Sequence, residues 1–490
     1  MARLSLATLD QLPNEIRQPS YERRRLKPRL AHIGVGAFHR AHQAVYTEQA
    51  NEIADARLGV VGVSLRSAAA ETALAPQDGL YTVGTRDGAA ESVRVVANML
   101  GMITAPSDPA AAAAVLADPG LLAVTLTITE KGYWLDPATG ALIADKGDVA
   151  ADLAAPDAPR SAIGYLYNAL KARHEAGLPP FTVVSCDNLP ENGARVRAAI
   201  VQYAERLDPA LAKWIAEDGA FPQTMVDRIV PKTTDDDLAA VEMRLGVRDE
   251  AYVKAEPFMQ WVIEDRFAGP RLPWDAGGAM IVDAVGPYET AKLRLLNGPH
   301  SAIAYLGYLA GCEYVHDVMA DPGLSGFVET LMDTDILQSV AEPKGMPLPA
   351  YARDLRARFR NAALQHRTHQ IAMDGSQKLP QRLLNTVRDA LAAGRSVDRL
   401  ALPIAAWMRY AAGRDEAGAP IEVLDPLHER FATIADKAGG NADALRDGFL
   451  GLKEVFGDDL PAAAPFREAL STQLNALFEK GARQAAADAR

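Results

Sequence analysis

The chain has 490 residues, 49% of them hydrophobic and 23% charged, with a formal net charge of −12. That length exceeds one ordinary core, so two domains are expected, and the acidic balance argues against nucleic acid or an anionic membrane surface as partner. Two cysteines, Cys186 and Cys312, exclude a disulfide framework and suit a cytoplasmic protein, while no apolar run reaches the roughly 20 residues that span a bilayer and the first ten residues lack the apolar core of an export signal.

The first half alternates short apolar runs with helical segments. Residues 29–33 read as a strand, then Gly34-Val-Gly36, then a helix through Tyr46. Residues 58–64, 121–127 and 181–185 read as further strands, and Val230 and Ile281-Val282 are candidates for others. Continuous apolar strands separated by helices imply a parallel sheet covered on both faces. Pro156 to Pro159 and Asp235-Asp-Asp237 suit surface loops or helix caps. After Tyr288 the periodicity turns helical, with helices expected at 289–310, 324–340, 351–363, 379–394, 399–413, 441–455 and 464–483. The alanine-rich stretch 107–118 reads as helix filler and 484–489 as a fraying tail. The fold class expected is therefore α/β: a Rossmann-like parallel sheet domain over 1–285, then a mostly α-helical substrate and catalytic domain over 286–490.

Gly34-Val-Gly36-Ala-Phe-His39 supplies the first two glycines of a dinucleotide turn, with His39 at the third position. Glycine lets the backbone turn tightly and approach a pyrophosphate at a helix N-terminus. The acid that would bind a ribose after the second strand is absent; Arg66 stands there, open to a 2′-phosphate, to adenine or to solvent, so NAD and NADP both remain open. His39 and His42 lie a helical turn apart but have no carboxylate or thiolate beside them, and no metal is expected.

Lys292-Leu-Arg-Leu-Leu-Asn297-Gly-Pro-His300 places a proton-transfer candidate, an amide and an imidazole at spacings of five and three. On an α-helix Asn297 lies about 140° from Lys292, with His300 between them and Glu289 on the same side. The apolar run 302–310 follows, so these polar groups stand at the mouth of a buried helix, where they must be hydrogen-bonded or used. The helix is expected against the carboxyl ends of the first domain's strands, where open α/β sheets bind ligands.

Six motifs carry a resemblance: His32-Ile-Gly-Val-Gly-Ala-Phe-His-Arg-Ala-His-Gln43, Thr129-Glu-Lys-Gly-Tyr133, Ser185-Cys-Asp-Asn-Leu-Pro190, Met225-Val-Asp-Arg228, Glu256-Pro-Phe-Met-Gln-Trp-Val262 and 292–300. In this order they resemble the polyol-specific long-chain dehydrogenases. The resemblance implies metal-independent hydride transfer with NAD or NADP, in a monomer or small homo-oligomer. Residues 365–382, with 129–133 and 406–410, resemble the fructuronate-reducing branch, which interconverts D-fructuronate and D-mannonate. Gln370 and Lys131 stand where mannitol dehydrogenases carry arginine and glycine. A neutral polyol, D-mannitol or D-arabinitol, is the alternative substrate.

Lys292 matches the family's catalytic lysine, which serves as acid and base if desolvation brings its pKa towards neutrality. The resemblance assigns Asn297 and Asn188 to the developing alkoxide, a role a neutral amide fills without titrating. His300 would bind a substrate hydroxyl, and Glu130 and Glu289 would relay protons or hold Lys292 by charge. Gly34, Gly36, Phe38, His39, Arg66, Thr129 and Asp227 fall to the cofactor. A uronate carboxylate needs a cation, and Lys378, Arg382 and Arg367 are the candidates. Structural ion pairs are the alternative for those three. Trp261 is expected in the core, and nothing marks Cys186 as a nucleophile.

Overall fold

The strands of the computed structural model, which describes residues 2–88, 90–137 and 139–490, all lie before residue 283. They are β1 (Lys27–Ile33), β2 (Leu58–Ser64), β3 (Tyr81–Asp87), β4 (Ala90–Val96), β5 (Met99–Thr104), β6 (Ala123–Leu126), β7 (Thr182–Ser185), β8 (Thr224–Asp227), β9 (Val253–Ala255), β10 (Gln260–Glu264) and β11 (Met280–Val282). The chain divides into two compact units, Met1–Gly286 and Pro287–Arg490.

In the first unit β5-β2-β1-β6-β7 form one sheet, parallel throughout. The strand order reverses direction between β1 and β6, and this switch point is where open α/β sheets leave a crevice. Successive side chains of β1 face opposite cores: Ala31 and Ile33 enter one, Leu30 the other. The first core is closed by helices Pro109–Leu116, Ala162–Glu175, Asn192–Glu205 and Pro209–Asp218. Two of these start at an Asp-Pro pair. Asp108 and Asp208 accept backbone N–H bonds at the cap, and the following proline has no N–H to leave unpaired.

The opposite core is covered by a second sheet, β11-β10-β8, which packs Val226, Trp261 and Ile263 together with Ala44, Val45 and Tyr46. Trp261 is wholly buried. A third sheet, β4-β3-β9, joins an antiparallel hairpin to one parallel strand. Neither the hairpin nor β5 is expected from the sequence, and the strand placed at Val230 ends instead at Asp227. Asp235 to Asp237 open helix Asp235–Leu245, where Thr234 and Asp237 form a capping box and the carboxylates meet the helix's positive end. The helix expected through Tyr46 is broken at His42, giving Ala37–Ala41 and Gln43–Ala54.

Among the described residues the second unit contains helices and no strand. Helices Gly298–Leu309, Asp398–Ala411 and Ala464–Asp488 pack on one another at its centre. The last helix bends at Gly481 and then buries Ala482, Ala485 and Ala486, so the tail expected to fray is packed. No helix among the described residues is long and apolar enough to cross a membrane.

Gly34 follows β1 with φ +97°, and a Cβ there would lie 2.2 Å from the Thr127 carbonyl oxygen. Both strain and overlap oppose any side chain. Gly34→Ala is expected to cost about 2 kcal/mol or more in unfolding free energy, read by denaturant titration; a change under about 0.5 kcal/mol would show that the two loops separate freely.

Candidate active site

The first unit builds its crevice around a buried imidazole. His32, in β1, has Nδ1 2.7 Å from Thr125 Oγ1 and Nε2 2.9 Å from Thr127 Oγ1. Thr127 Oγ1 donates to the Gly34 carbonyl at 2.7 Å, so it accepts from His32 Nε2–H, and Nδ1 accepts from Thr125. Burial lowers the pKa of His32 to about 3, keeping this neutral tautomer. The carboxyl ends of β1 and β6 are thereby tied together.

His39 stands where a third glycine would let helix and strand approach. It achieves a close approach differently: its ring stacks on His32 with centroids 3.4 Å apart. Phe38 stacks on His42 at 4.9 Å. Gly36 is exposed, and a Cβ there would meet only the Gly34 carbonyl, at 3.8 Å. A pyrophosphate can therefore approach this backbone, and the loop fits a dinucleotide. Arg66 is exposed beyond β2. Beside it Ser64 Oγ donates to the Ser67 carbonyl at 2.6 Å, with no acid between residues 64 and 68.

Beyond β6 and β7, Thr129, Glu130 and Asn188 are exposed, whereas Asp187 is buried. Asp227, at the end of β8, is buried. Its neighbour Arg228 donates to the carbonyls of Ala41 and Glu256, fastening β8 to the helix after the glycine loop. Burial lowers the pKa of Arg228 to about 10. Cys186 is buried with its thiol pKa raised by burial, which suits packing rather than attack.

In the second unit, helix Gly286–Lys292 carries Glu289 and continues as a π-helical turn, Leu293–Asn297, into helix Gly298–Leu309. Gly298 N–H bonds back five residues to Leu293 O. A π turn takes one more residue than an α turn. Asn297 therefore lies closer in rotation to Lys292 than the 140° expected from α-helical spacing. Pro299 has no N–H to give the α ladder, which favours the bulge here. A second π turn, Pro380–Leu384, also begins at a proline. The two turns touch where a Cβ on Gly298 would be 2.9 Å from the Arg382 carbonyl.

That contact gathers Arg382, His300, Ser301, His366 and Lys378. Arg382 Nη1 donates to Ser301 Oγ at 3.3 Å. His300 packs on Phe359 at 4.6 Å and edge-on to His366 at 5.4 Å. Burial, then His366, Arg382 and Arg358, hold the His300 pKa well below the ordinary imidazole value; burial, then Arg382 and Lys378, lower that of His366. Lys378 Nζ donates to the Met373 carbonyl at 2.5 Å. Its pKa is lowered by burial and by Arg382. Lys292 is also buried, at 7% exposure. Arg367 is not part of this cluster. Its exposed guanidinium pairs with Glu313 at 2.8 Å and lies over the Tyr314 ring. His366 was not singled out from the sequence, although it adjoins Arg367. Among the described residues no group of three or more His, Cys, Asp or Glu could hold a metal ion.

Sequence models of the mannitol dehydrogenase Rossmann domain and C-terminal domain match residues 28–276 and 284–478. The chain belongs to the mannitol dehydrogenase family. It is 44% identical to the D-mannonate oxidoreductase of Escherichia coli K12, over 96% of this chain and 98% of the other. It superposes on D-sorbitol dehydrogenase in substrate-free form with a TM-score of 0.92 and 34% identity, covering 98% and 99% of the two chains. With Pseudomonas fluorescens mannitol 2-dehydrogenase, solved as a ternary complex with NAD and D-mannitol, the TM-score is 0.82 and the identity 36%, over 99% and 98%. The protein is thus an oxidoreductase of a family that acts on secondary alcohols.

A buried imidazole beside two cations stays neutral under ordinary conditions. The His300 ring nitrogens, assigned by the signal missing in His300→Asn, are expected not to titrate between about pH 8 and 5.5 in NMR spectra, against an ordinary midpoint near 6.5. A midpoint above about 6 would mean that a carboxylate or water reaches the ring.

Proposed function

We propose that this chain reduces D-fructuronate to D-mannonate, and the reverse, with NAD(H) or NADP(H). The observation that carries the reading is Arg382. Its pKa is lowered by burial, it donates to the neutral Ser301 hydroxyl, and among the described residues it forms no ion pair. Lys378, whose own pKa is lowered by burial and by Arg382, is held by backbone carbonyls. A guanidinium in that state is a receptor for a carboxylate, which a uronate has and a hexitol lacks. The likeness to D-mannonate oxidoreductase points the same way.

When bound, the reduced nicotinamide supplies a hydride to the substrate's carbonyl carbon. Lys292 as ammonium gives the proton to the resulting alkoxide, and as amine takes it back in the oxidation direction. Asn188 and Asn297 donate hydrogen bonds to that oxygen. His300 is neutral, so it offers one donor and one acceptor to substrate hydroxyls. Glu130 and Glu289 pass protons to water or hold Lys292 by charge. Gly34, Gly36, Phe38, His39, Thr129 and Asp227 shape the cofactor crevice, and Arg66 receives a 2′-phosphate when NADP is used. Two free thiols fit a cytoplasmic enzyme. Its oligomeric state is either a monomer or a small homo-oligomer.

The second reading is a neutral polyol dehydrogenase, favoured by the 0.82 likeness to a mannitol 2-dehydrogenase. Initial rates with D-fructuronate and D-fructose, each with NADH and NADPH, separate the two. Fructuronate is expected to be preferred, and Arg382→Gln to lower its kcat/KM roughly tenfold to a hundredfold, the worth of a charge-assisted hydrogen bond, while changing fructose reduction far less. Equal losses on both substrates would return Arg382 to a structural role. Lys292→Ala should lower kcat by about 10²–10⁴ with cofactor affinity retained; undiminished turnover would remove the lysine from the chemistry. Arg66→Gln is expected to weaken NADPH and not NADH.

A further inference from the structure

Asp187 closes the loop after β7 onto the loop after β6. Its Oδ1 accepts the Thr129 N–H at 2.8 Å and its Oδ2 the Ile128 N–H at 3.1 Å. The Tyr133 hydroxyl lies 2.5 Å from the same Oδ2 and 2.6 Å from Ser185 Oγ. One buried carboxylate thus holds two successive backbone amides and a phenol.

The backbone it grips is strained. Thr129 has φ 64° and ψ 167°. That region suits glycine and costs other residues about 1–3 kcal/mol, so surrounding bonds must impose it. Thr129 is β-branched, which makes the conformation harder still. The position matters chemically on both sides. Thr127, two residues earlier, bonds the Gly34 carbonyl of the glycine turn. Asn188 follows Asp187 directly. Strain of this kind is kept where the geometry is used.

We propose that Asp187 is a positioning residue: it holds Thr129 in its strained conformation, fixes the wall of the dinucleotide crevice beyond β6, and sets the direction in which Asn188 leaves β7. It touches neither cofactor nor substrate in this role. The proposal rests on the dinucleotide reading above and not on which sugar is reduced.

The test is a double-mutant cycle on the full chain, reading the NADH dissociation constant by fluorescence quenching, with Tm as a separate readout. Asp187→Asn keeps the shape but offers one acceptor oxygen where there were two. It is expected to weaken NADH about tenfold in the parental chain and no more than about threefold in a Thr129→Gly background, because glycine reaches the same conformation without the carboxylate. kcat should follow the same pattern, since Asn188 is aimed by the same clamp. A merely structural carboxylate would lower Tm and shift NADH binding by one factor in both backgrounds, and that equality overturns the proposal. If Asp187→Asn does not yield folded protein, Tyr133→Phe in the same two backgrounds decides by the same rule, with an expected loss of about threefold in the parental chain. A parental chain that binds neither NADH nor NADPH overturns the dinucleotide reading and this inference with it, whereas NADH binding without coupling overturns the inference alone.

Discussion

The first unit depends on the space denied to a side chain at Gly34. The Thr127 carbonyl occupies the place of its Cβ, and the Thr127 hydroxyl binds its carbonyl. β1 and β6 can be neighbours at the switch point only because this approach is allowed. His32 completes the tie. A charged imidazole would lose the acceptor that Thr125 needs, so its neutrality is part of the geometry. The crevice then has a polar floor of His32, Thr125 and Thr127, held together by hydrogen bonds.

In the second unit the comparable constraint is the meeting of two π turns. Each coincides with a proline, at 299 and at 380, where the α ladder already lacks a donor. The extra residue in each turn is accommodated by setting Gly298 against the Arg382 backbone. The first π turn brings Asn297 closer in rotation to Lys292, and beside the contact Ser301 meets the guanidinium. A regular helix through 292–300 would separate the amide from the lysine by more than a third of a turn.

What the sequence discloses follows from how the signals arise. β1, β2, β6 and β7 are legible because strands buried on both faces are apolar without interruption. The hairpin β3–β4 is not, since it carries Arg86, Asp87, Glu91 and Arg94 among its apolar residues, and the acids that pair with Arg86 and Arg94 across the fold, Asp237 and Glu52, lie far along the chain. The break at His42 escapes a reading by periodicity because both helices keep a buried stripe through it. The π turns escape it because a fixed 100° per residue presupposes the α form. Charge partners are invisible for the same reason of distance. Arg367 and Arg382 belong to one motif, yet Glu313 pairs with the first and, among the described residues, no acid pairs with the second.

That difference bears on the substrate. Arg382 is half-buried, and taking a guanidinium even partly out of water is costly unless charge or several hydrogen bonds compensate. Arg382 receives little of either from the described residues, and its charge lowers the pKa of the neighbouring Lys378. His300 and His366 relieve the cost only by staying neutral. A fold built for stability alone would place a carboxylate or an apolar side chain there. Under the proposed reading, a substrate carboxylate would supply the missing charge, and its binding energy would then include relief of a cost already present in the folded chain. A hexitol offers hydroxyls, which satisfy donors but leave the charge uncompensated. Discrimination built this way is strong because the wrong ligand leaves buried polar groups unpaired. Under the proposed reading, the unpaired guanidinium of Arg382 is the feature of this chain that would favour an acid over a neutral polyol.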